Sequence, residues 1–453
     1  MNAKYIALTP PSKHTGNTAA PEVLAACLAK YSRSMSGIDE ILDSIDHSNT
    51  EKAVDAIFKF VDYGHASIGG LTGGIPIAID GISMLLALKL FEFGQMADGQ
   101  ESSTRYITLT KEGLPSAENL GIPLSLVGQW EEVCELGFSL YSKVYEDLNN
   151  NVTEEKARIP AGTSEKVAQR MLKNYALDRA RYFLPLATKT NIALVATARI
   201  WAEIIRSIDS LQTEEAKELA IQLRDCLKIA APNLIRHSYP NAASLQRTQD
   251  LNAEVSTAIL LHGVPNRPIK DKLELEIEDT KSSFFKEQPY SEATAGKVNR
   301  YCQVGPRIKR QFVRVAWNNI AMAELRDLNR HRTGYRYTDY VPKGFYLPAE
   351  ALQSILKLGL DGQLQRFLSA YSALISEFAS KNTALVPYAF FLGTQVAFEH
   401  STQADKFIYE VELRTGTGAH FRYAEHLSAA VAAYIKLVPE AARHINIGTA
   451  EPE

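Results

Sequence analysis

The chain has little cysteine, no excess of positive charge and no long apolar run. Its cysteines, Cys27, Cys134, Cys226 and Cys302, lie far apart without C-x-x-C spacing. This indicates reduced, mostly buried thiols rather than disulfides or zinc ligands. A formal net charge of -3 offers no positive field to a nucleic-acid backbone. No segment is apolar over the length of a membrane span, and the first residues lack the apolar region of a signal peptide. We therefore expect a soluble cytoplasmic protein without a nucleic-acid or membrane partner.

Apolar and amphipathic segments make up much of the rest. The 453 residues are 45% hydrophobic and 22% charged, which is globular composition with room for two or three domains. The nearly continuous apolar stretch at 73–93 predicts a buried strand entering a helix, and the alternation at 273–277 predicts an edge strand. Apolar residues at helical spacing predict helices at 21–31, 50–63, 125–149, 187–208, 213–230, 313–329, 363–380, 390–413 and 421–437.

The order of these segments repeats. Leu184-Pro185 precedes one long helical pattern, and Val386-Pro387 stands at the corresponding place in the second half. We interpret the chain as two tandem copies, residues 1–235 and 236–453. Each copy is expected to be an α+β (mixed α/β) domain with long helices packed on a modest sheet. The alternative is that two unrelated helical domains share an element order by chance.

Two polar clusters stand out from this pattern. Arg330-His331-Arg332 ends an apolar segment and concentrates donors and positive charge, which suits phosphate, although cations also complement a helix C-terminus. In Gln100–Tyr106, an extended backbone would place Glu101, Ser103 and Arg105 on one face, which suits a nucleotide; the alternative is a solvated strand edge.

Together the two clusters resemble one signature of the flavin-dependent thymidylate synthases, R-H-R followed by N/Q-E-x-S-x-R-Y, split here between the halves. Four further segments resemble the family's A-R-x-x-L-P, G-H-x-S/T, N-x-R and L-R motifs. In that order they are Ala180-Arg181-Tyr182-Phe183-Leu184-Pro185, His65-Ala66-Ser67, Thr197-Ala198-Arg199 and Leu413-Arg414. The asparagine of N-x-R is lost, and Gly70 and Leu71 replace the E-H that usually follows the serine.

The departures from the family pattern complement each other. In the first half, Glu92–Gln95 occupies the place of R-H-R, and Ile208 that of the L-R arginine. In the second half, Tyr340-Val341-Pro342 replaces S-x-R, and Thr383 replaces the arginine before L-P. What one half lacks the other keeps, so we expect one composite site.

The resemblance implies an FAD-dependent enzyme that transfers a one-carbon unit from methylenetetrahydrofolate to dUMP, giving dTMP, with NADPH as the reductant. It implies no nucleophilic side chain, and the histidine spacing predicts no metal site. A homodimer would form a pseudo-tetramer. By the same resemblance, Glu101, Ser103, Arg105, Arg181 and Arg414 bind the nucleotide, whereas Arg330, His331, Arg332, Arg199 and Ser67 contact the flavin.

Two alternatives remain open. The same flavin and folate scaffold could act on another pyrimidine nucleotide or stop at a hydroxymethyl product. The chain could also be a non-catalytic nucleotide-binding protein derived from the enzyme. The altered residues before Arg199 and after Ser67 keep both alternatives open, because they fall in the flavin-contacting motifs.

Overall fold

The computed structural model describes residues 21–44, 74–230, 235–279, 283–284, 286–331 and 333–449. The chain forms two compact units. The first combines the chain up to Glu131 with Leu186–Ala253 and Asn382–Tyr388, and the second combines Glu132–Pro185, Glu254–Lys381 and the chain from Ala389 onward. Each unit therefore contains segments from both predicted copies, residues 1–235 and 236–453. The boundary between the copies at residue 235 stays a prediction.

Helices account for most of the regular structure, as expected. They are α1 (Pro21–Tyr31), α2 (Ile38–Asp43), α3 (Met84–Phe93), α4 (Leu124–Asn151), α5 (Glu165–Ala180), α6 (Ala198–Ser210), α7 (Glu214–Ala230), α8 (Ala242–His262), α9 (Tyr290–Ala293), α10 (Pro306–Arg310), α11 (Met322–Leu328), α12 (Ala349–Lys357), α13 (Asp361–Lys381), α14 (Ala404–Arg414) and α15 (Phe421–Leu437). None of them, in the described ranges, combines the length and apolar character of a membrane span.

Each unit contains one small antiparallel sheet. The first has the order β1-β3-β2, and the second has the order β4-β5-β8-β6 with β7 also paired to β8. The strands are β1 (Ile75–Ser83), β2 (Asp98–Glu101), β3 (Lys189–Ala196), β4 (Leu273–Asp279), β5 (Gln311–Ala321), β6 (Tyr335–Tyr337), β7 (Gly344–Phe345) and β8 (Thr394–Gln403). The mixed helix-and-sheet class is confirmed, and β4 is the edge strand predicted at 273–277.

The strand pairs β1–β3 and β5–β8 have matching registers, and each pair contains one β-bulge. In the first, Ile79 pairs with Ile192 and the next registered pair is Ile82 with Thr190, so β1 carries one extra residue. In the second sheet, Trp317 pairs with Phe398 and the next registered pair is Ile320 with Val396. The bulge lies at the same distance from the helix that follows the strand, α3 or α11. Positions in these strands, and in the helices that directly follow them, can therefore be matched residue by residue.

Strand β3 is apolar from Ile192 onward because both of its faces are covered there. Ile192 and Leu194 belong to a core with α3, α6 and α7, whereas Ala193 and Val195 pack with Leu28 of α1 and its neighbours. Side chains alternate across a strand, so a stretch that packs against apolar cores on both sides favours apolar residues at every position. Each fully buried leucine or isoleucine contributes roughly 1.5–3 kcal/mol to the stability of this core.

Three of the predicted helices were wrong in part. The segments 187–208, 313–329 and 390–413 each contain a strand, β3, β5 or β8, and only then continue as a helix. The apolar stretch of β3 is buried on both faces and has no diagnostic period, whereas β5 alternates buried and exposed residues in its first half, as expected for a strand with one covered face. Helix α5 was not predicted. The predicted helix at 50–63 lies outside the described residues.

All four cysteines are free thiols. Cys27 and Cys134 are buried, Cys302 is partly buried and Cys226 is exposed. The absence of disulfides agrees with the sequence prediction, whereas burial holds for two of the four.

Candidate functional site

A cluster of charged side chains lies inside the second unit, where α5, α11 and α14 end. Arg181 directly follows α5, Arg330 and His331 follow α11, and Arg414 is the last residue of α14. Arg181 comes from the first half of the sequence, and the other three come from the second. The structure thus brings together four of the predicted site residues, from both halves, in one compact unit.

Asp327 connects these cations. Its carboxylate lies 3.9 Å from the Nη2 atom of Arg181, and its carbonyl oxygen accepts a hydrogen bond of 3.3 Å from Nη2 of Arg414. Arg414 also donates from Nε to Nε2 of His331 over 2.9 Å. Arg181 is only 2% exposed, so its guanidinium lies in the interior of the unit beside Asp327.

His331 is a neutral ring. Burial lowers its pKa to about 3, and the neighbouring Arg414 acts in the same direction against the opposing attraction of Glu410. Its Nε2 atom accepts the hydrogen bond from Arg414, which requires a lone pair there. The single proton of the ring therefore sits on Nδ1, which leaves that nitrogen as a donor.

A second histidine and a carboxylate extend the cluster. Nδ1 of His400 lies 2.8 Å from Oε2 of Glu410, and Nε2 of His400 lies 3.0 Å from the carbonyl oxygen of Thr333. The other Glu410 oxygen lies 3.6 Å from Nε2 of His331. Although burial alone would raise the pKa of the Glu410 carboxyl, the neighbouring His331, His400 and Arg414 together lower it, so the carboxyl is ionised.

The cluster is positively charged overall. Strand β6 adds the buried Arg336, which pairs with His400 across the sheet. The guanidiniums of Arg181, Arg330, Arg336 and Arg414 outnumber the carboxylates of Asp327 and Glu410. Guanidinium groups bind phosphate and carboxylate through paired donors, so the cluster suits an anionic ligand.

The first unit carries apolar residues at the positions equivalent to His400, Glu410 and Arg414. Leu194 lies between Ile77 and Gly99 in its sheet, as His400 lies between Val315 and Arg336. Helices α6 and α14 match from their first residues, so Ile204 occupies the position of Glu410 and Ile208 occupies the position of Arg414. Leu194, Ile204 and Ile208 are all fully buried. The fold therefore does not require charge at these positions.

The strand register also tests which residues occupy the places of the family motifs that each half lacks. Glu92 and Phe93 correspond to Arg330 and His331, and Ile208 corresponds to Arg414, as the sequence indicated. Pro387, rather than Thr383, falls at the place of Arg181, because Thr190 matches Val396 in the registered pairs. At the matched positions that the structure describes, the first unit thus has no counterpart of the cationic cluster.

Glu101, Ser103 and Arg105 lie in the first unit. Glu101 ends β2 and is 1% exposed, but the chain then turns, with Arg105 N–H donating to Oγ of Ser103 at 3.2 Å. The prediction of an extended segment is therefore wrong beyond Glu101. The Ser103 N–H is held by the carbonyl of Ser32 at 2.9 Å, and the Arg105 guanidinium lies 5.9 Å from the ring centre of Tyr106.

Of the other three predicted flavin contacts, the structure describes one. Arg199 is the second residue of α6, in the first unit, and its side chain is 86% exposed beside Glu203 at 3.6 Å. Ser67 and Arg332 lie outside the described residues. Their roles stay predictions.

The sequence interpretation missed Asp327, Arg336, His400 and Glu410. Glu410 carried a detectable signal, because it lies with Phe407, Ile408 and Val411 on the buried face of α14, where a charge is unexpected. His400 was considered only as a metal ligand, and no group of histidine, cysteine and carboxylate side chains in the described ranges could hold a metal ion.

Comparison with known proteins agrees with the motifs. The family model described as thymidylate synthase complementing protein matches residues 14–233. A UPF0159 protein of Chlamydia pneumoniae is 22% identical over 92% of this chain and 88% of its own length. A UPF0159 protein of Chlamydia muridarum is 24% identical over 82% of this chain and 80% of its own length. Another, from Thermoplasma acidophilum, is 24% identical over 46% of this chain and 47% of its own length. The first half of the chain, over residues 14–233, is therefore similar to the thymidylate synthase complementing proteins.

Proposed function

We propose that the chain is an FAD-dependent thymidylate synthase-like enzyme that converts dUMP to dTMP. The observation that carries this proposal is the buried cationic cluster of the second unit, in which His400, Glu410 and Arg414 stand at positions that are apolar in the first unit. Burying charge is unfavourable unless the charges are paired, and the same fold is satisfied there by leucine and isoleucine. A retained, net positive cluster is therefore best explained by an anionic ligand.

The donor set fits the groups that the reaction requires. FAD carries a pyrophosphate and dUMP a phosphate, and both suit the arginines of the cluster. Arg181 and Arg414 are proposed to neutralise the nucleotide phosphate, and Arg330 and the Nδ1–H of His331 to contact the flavin. When bound, reduced FAD supplies the hydride and methylenetetrahydrofolate the one-carbon unit, with NADPH as the external reductant.

The tandem duplication is part of the proposal. It is supported by the common register and bulge of the two sheets. A second repeated feature is a tyrosine that donates to a buried glutamate. Tyr182 contacts Glu324 at 2.5 Å in the second unit, and Tyr388 contacts Glu215 at 2.7 Å in the first. Copies that later lost complementary motifs would retain such common features.

Three residues of the first unit are also proposed to bind the nucleotide. The resemblance assigns Glu101, Ser103 and Arg105 to this role, and the family match at 14–233 covers all three.

We further propose that two chains associate as a homodimer, the counterpart of a four-domain assembly. Light scattering would give twice the chain mass of 50.2 kDa, whereas a monomer mass would contradict this.

The first test is the visible absorption spectrum of the purified chain before and after incubation with FAD and removal of the excess. Flavin bands near one per chain that shift on addition of dUMP would support the proposal. Tritium release from labelled dUMP would then report turnover. A colourless protein that still binds dUMP would indicate a non-catalytic nucleotide-binding protein instead. Product analysis with dUMP and dCMP would separate dTMP formation from hydroxymethylation or action on another pyrimidine.

A further inference from the structure

We propose that His400 and Glu410 form a buried positioning pair that holds the segment after α11, at His331, Thr333 and Gly334, in its ligand-binding conformation, with His400 as an imidazolium. The functional consequence rests on the proposed flavin-binding role of that segment. The protonation state of His400 and the anchoring of the segment do not depend on that role and can be tested separately.

The geometry around His400 requires two ring protons. Nε2 faces the carbonyl oxygen of Thr333 at 3.0 Å, and Nδ1 faces a carboxylate oxygen of Glu410 at 2.8 Å. Neither the carbonyl nor the ionised carboxylate has a proton to donate, and an unprotonated ring nitrogen would set its lone pair against that of the oxygen. Both nitrogens are therefore donors, which only the imidazolium provides.

The groups packed around His400 agree with this assignment. Glu410 faces it from α14, Arg336 and Val315 pair with it from β6 and β5, and His331 lies 6.5 Å away between ring centres. Burial and Arg336 oppose the charge of His400, but Glu410 and the hydrogen bonds to Glu410 and Thr333 outweigh them and raise its pKa. The pair is thus a buried ion pair with one carboxylate and one imidazolium.

The pair anchors the chain directly after His331. Besides the His400 contact, Thr333 accepts a hydrogen bond at Oγ1 from Thr402 at 3.2 Å. Gly334 has φ of 80° and approaches β8 so closely that a Cβ atom there would lie 2.0 Å from the carbonyl oxygen of Ser401. The other oxygen of Glu410 approaches His331. Loss of the imidazolium removes the donor that holds the Thr333 carbonyl and leaves Glu410 without its closest counter-charge.

The first unit shows what the fold needs at these two positions. Leu194 and Ile204 occupy them and are fully buried. A double variant, His400→Leu with Glu410→Ile, therefore reproduces the apolar arrangement of the first unit and is expected to fold. It removes both charges together, which avoids an unpaired buried ion.

The protonation state is measured by nitrogen NMR of the histidine side chains in the full chain. We expect His400 to show two protonated nitrogens at pH 8, assigned by the loss of that signal in His400→Gln. In Glu410→Gln the counter-charge is gone, and the ring is expected to lose a proton near neutral pH. The buried His426, whose pKa is lowered to about 3, should have a neutral ring in the unmodified chain and in Glu410→Gln, and its signal serves as the reference. A neutral His400 ring in the unmodified chain at pH 7 would overturn the assignment.

The positioning role is measured by hydrogen exchange and by FAD titration. In the double variant we expect amide exchange across residues 331–334 to become at least ten-fold faster, with the protection of β1–β3 unchanged, and FAD to bind at least ten-fold more weakly. Unchanged exchange in that segment would overturn the positioning role. If the segment loosens but the unmodified chain itself binds no FAD, the proposed enzyme function fails while the positioning pair stands.

Discussion

Glu324 is a fully buried carboxyl at the start of α11. It accepts hydrogen bonds from Tyr182 at 2.5 Å and from the Ala321 backbone at 2.9 Å. Burial raises its pKa to about 7, although both hydrogen bonds and nearby Arg181 act in the opposite direction. The carboxyl therefore changes charge near neutral pH, next to one of the proposed phosphate-binding arginines.

The raised pKa predicts how stability depends on pH. A carboxyl with a higher pKa in the folded state contributes stability below its unfolded pKa, and this contribution is lost as the pH rises through about 7. Glu324→Gln reproduces the protonated form at every pH. We expect its free energy of unfolding to exceed that of the unmodified chain by about 1–3 kcal/mol at pH 8 and to match it below about pH 4. Urea unfolding at both values checks this, and equal stability at pH 8 would contradict it.

Arg414 contributes through its shape as well as its charge. Its Nε atom holds His331 while Nη2 holds the Asp327 carbonyl. Lysine keeps the charge but cannot serve both acceptors in this geometry. We expect Arg414→Lys to bind FAD or dUMP at least ten-fold more weakly, a loss of about 1.4 kcal/mol, as measured by titration. Arg366→Lys is the matched control, because Arg366 is an exposed partner of Glu132 on α13; equal loss in both variants would argue against a specific role.

At the scale of elements, two glycines with positive φ differ in what surrounds them. Gly81, in the bulged part of β1, has φ of 73° and open space at the Cβ position. Gly334 has a similar φ, but its Cβ position is occupied by the backbone of β8. An alanine side chain is disfavoured in the left-handed region at both sites.

The two positions should respond differently to alanine. Gly81→Ala should lower the free energy of unfolding by about 1 kcal/mol, since only backbone conformation is affected. Gly334→Ala should lower it by more than about 3 kcal/mol, or displace the segment after α11, because the added atom collides with a backbone oxygen. Thermal unfolding followed by circular dichroism compares the two. Similar shifts for both would show that the approach to β8 is not tight.

The helices with one polar face were predictable, whereas the strands that lead into helices were not. Amphipathic spacing identified α4, α13 and α15 to within a few residues. Strands β3 and β8 were taken for helix because burial on both faces removes the period of two. In the site, Arg181, Arg330, His331 and Arg414 followed from family-like motifs. The roles of His400 and Glu410 depend on a strand register and a helix face that meet only in the folded unit.

At the scale of the whole molecule, the proposal requires residues from both halves of the sequence. We expect Arg105→Ala and Arg330→Ala each to reduce dUMP-dependent tritium release by at least 100-fold, a loss of about 2.7 kcal/mol, because each removes a guanidinium assigned to an anion. Arg366→Ala provides the exposed control. Full activity of either variant would refute the proposed composite site.

Each compact unit also combines segments from both halves of the sequence. The first unit contains Asn382–Tyr388 from the second half, where Tyr388 donates to Glu215, and the second unit contains Glu132–Pro185 from the first. We expect residues 1–235 and 236–453, expressed separately, to be unfolded or aggregated, and co-expression to recover folded protein. Circular dichroism and gel filtration would show this. If the two halves were each stable alone, the expectation that each half needs segments of the other to fold would be wrong.

This exchange also sets the order in which the chain can fold during synthesis. The ribosome releases Glu132–Pro185 long before the strands β5 and β8 with which that segment shares a unit, and the first unit waits for Asn382–Tyr388. Neither unit can close until most of the polypeptide has been made. The nascent chain therefore carries the long helix α4 without its partners for most of translation, a period in which chaperone binding would protect its apolar face from aggregation.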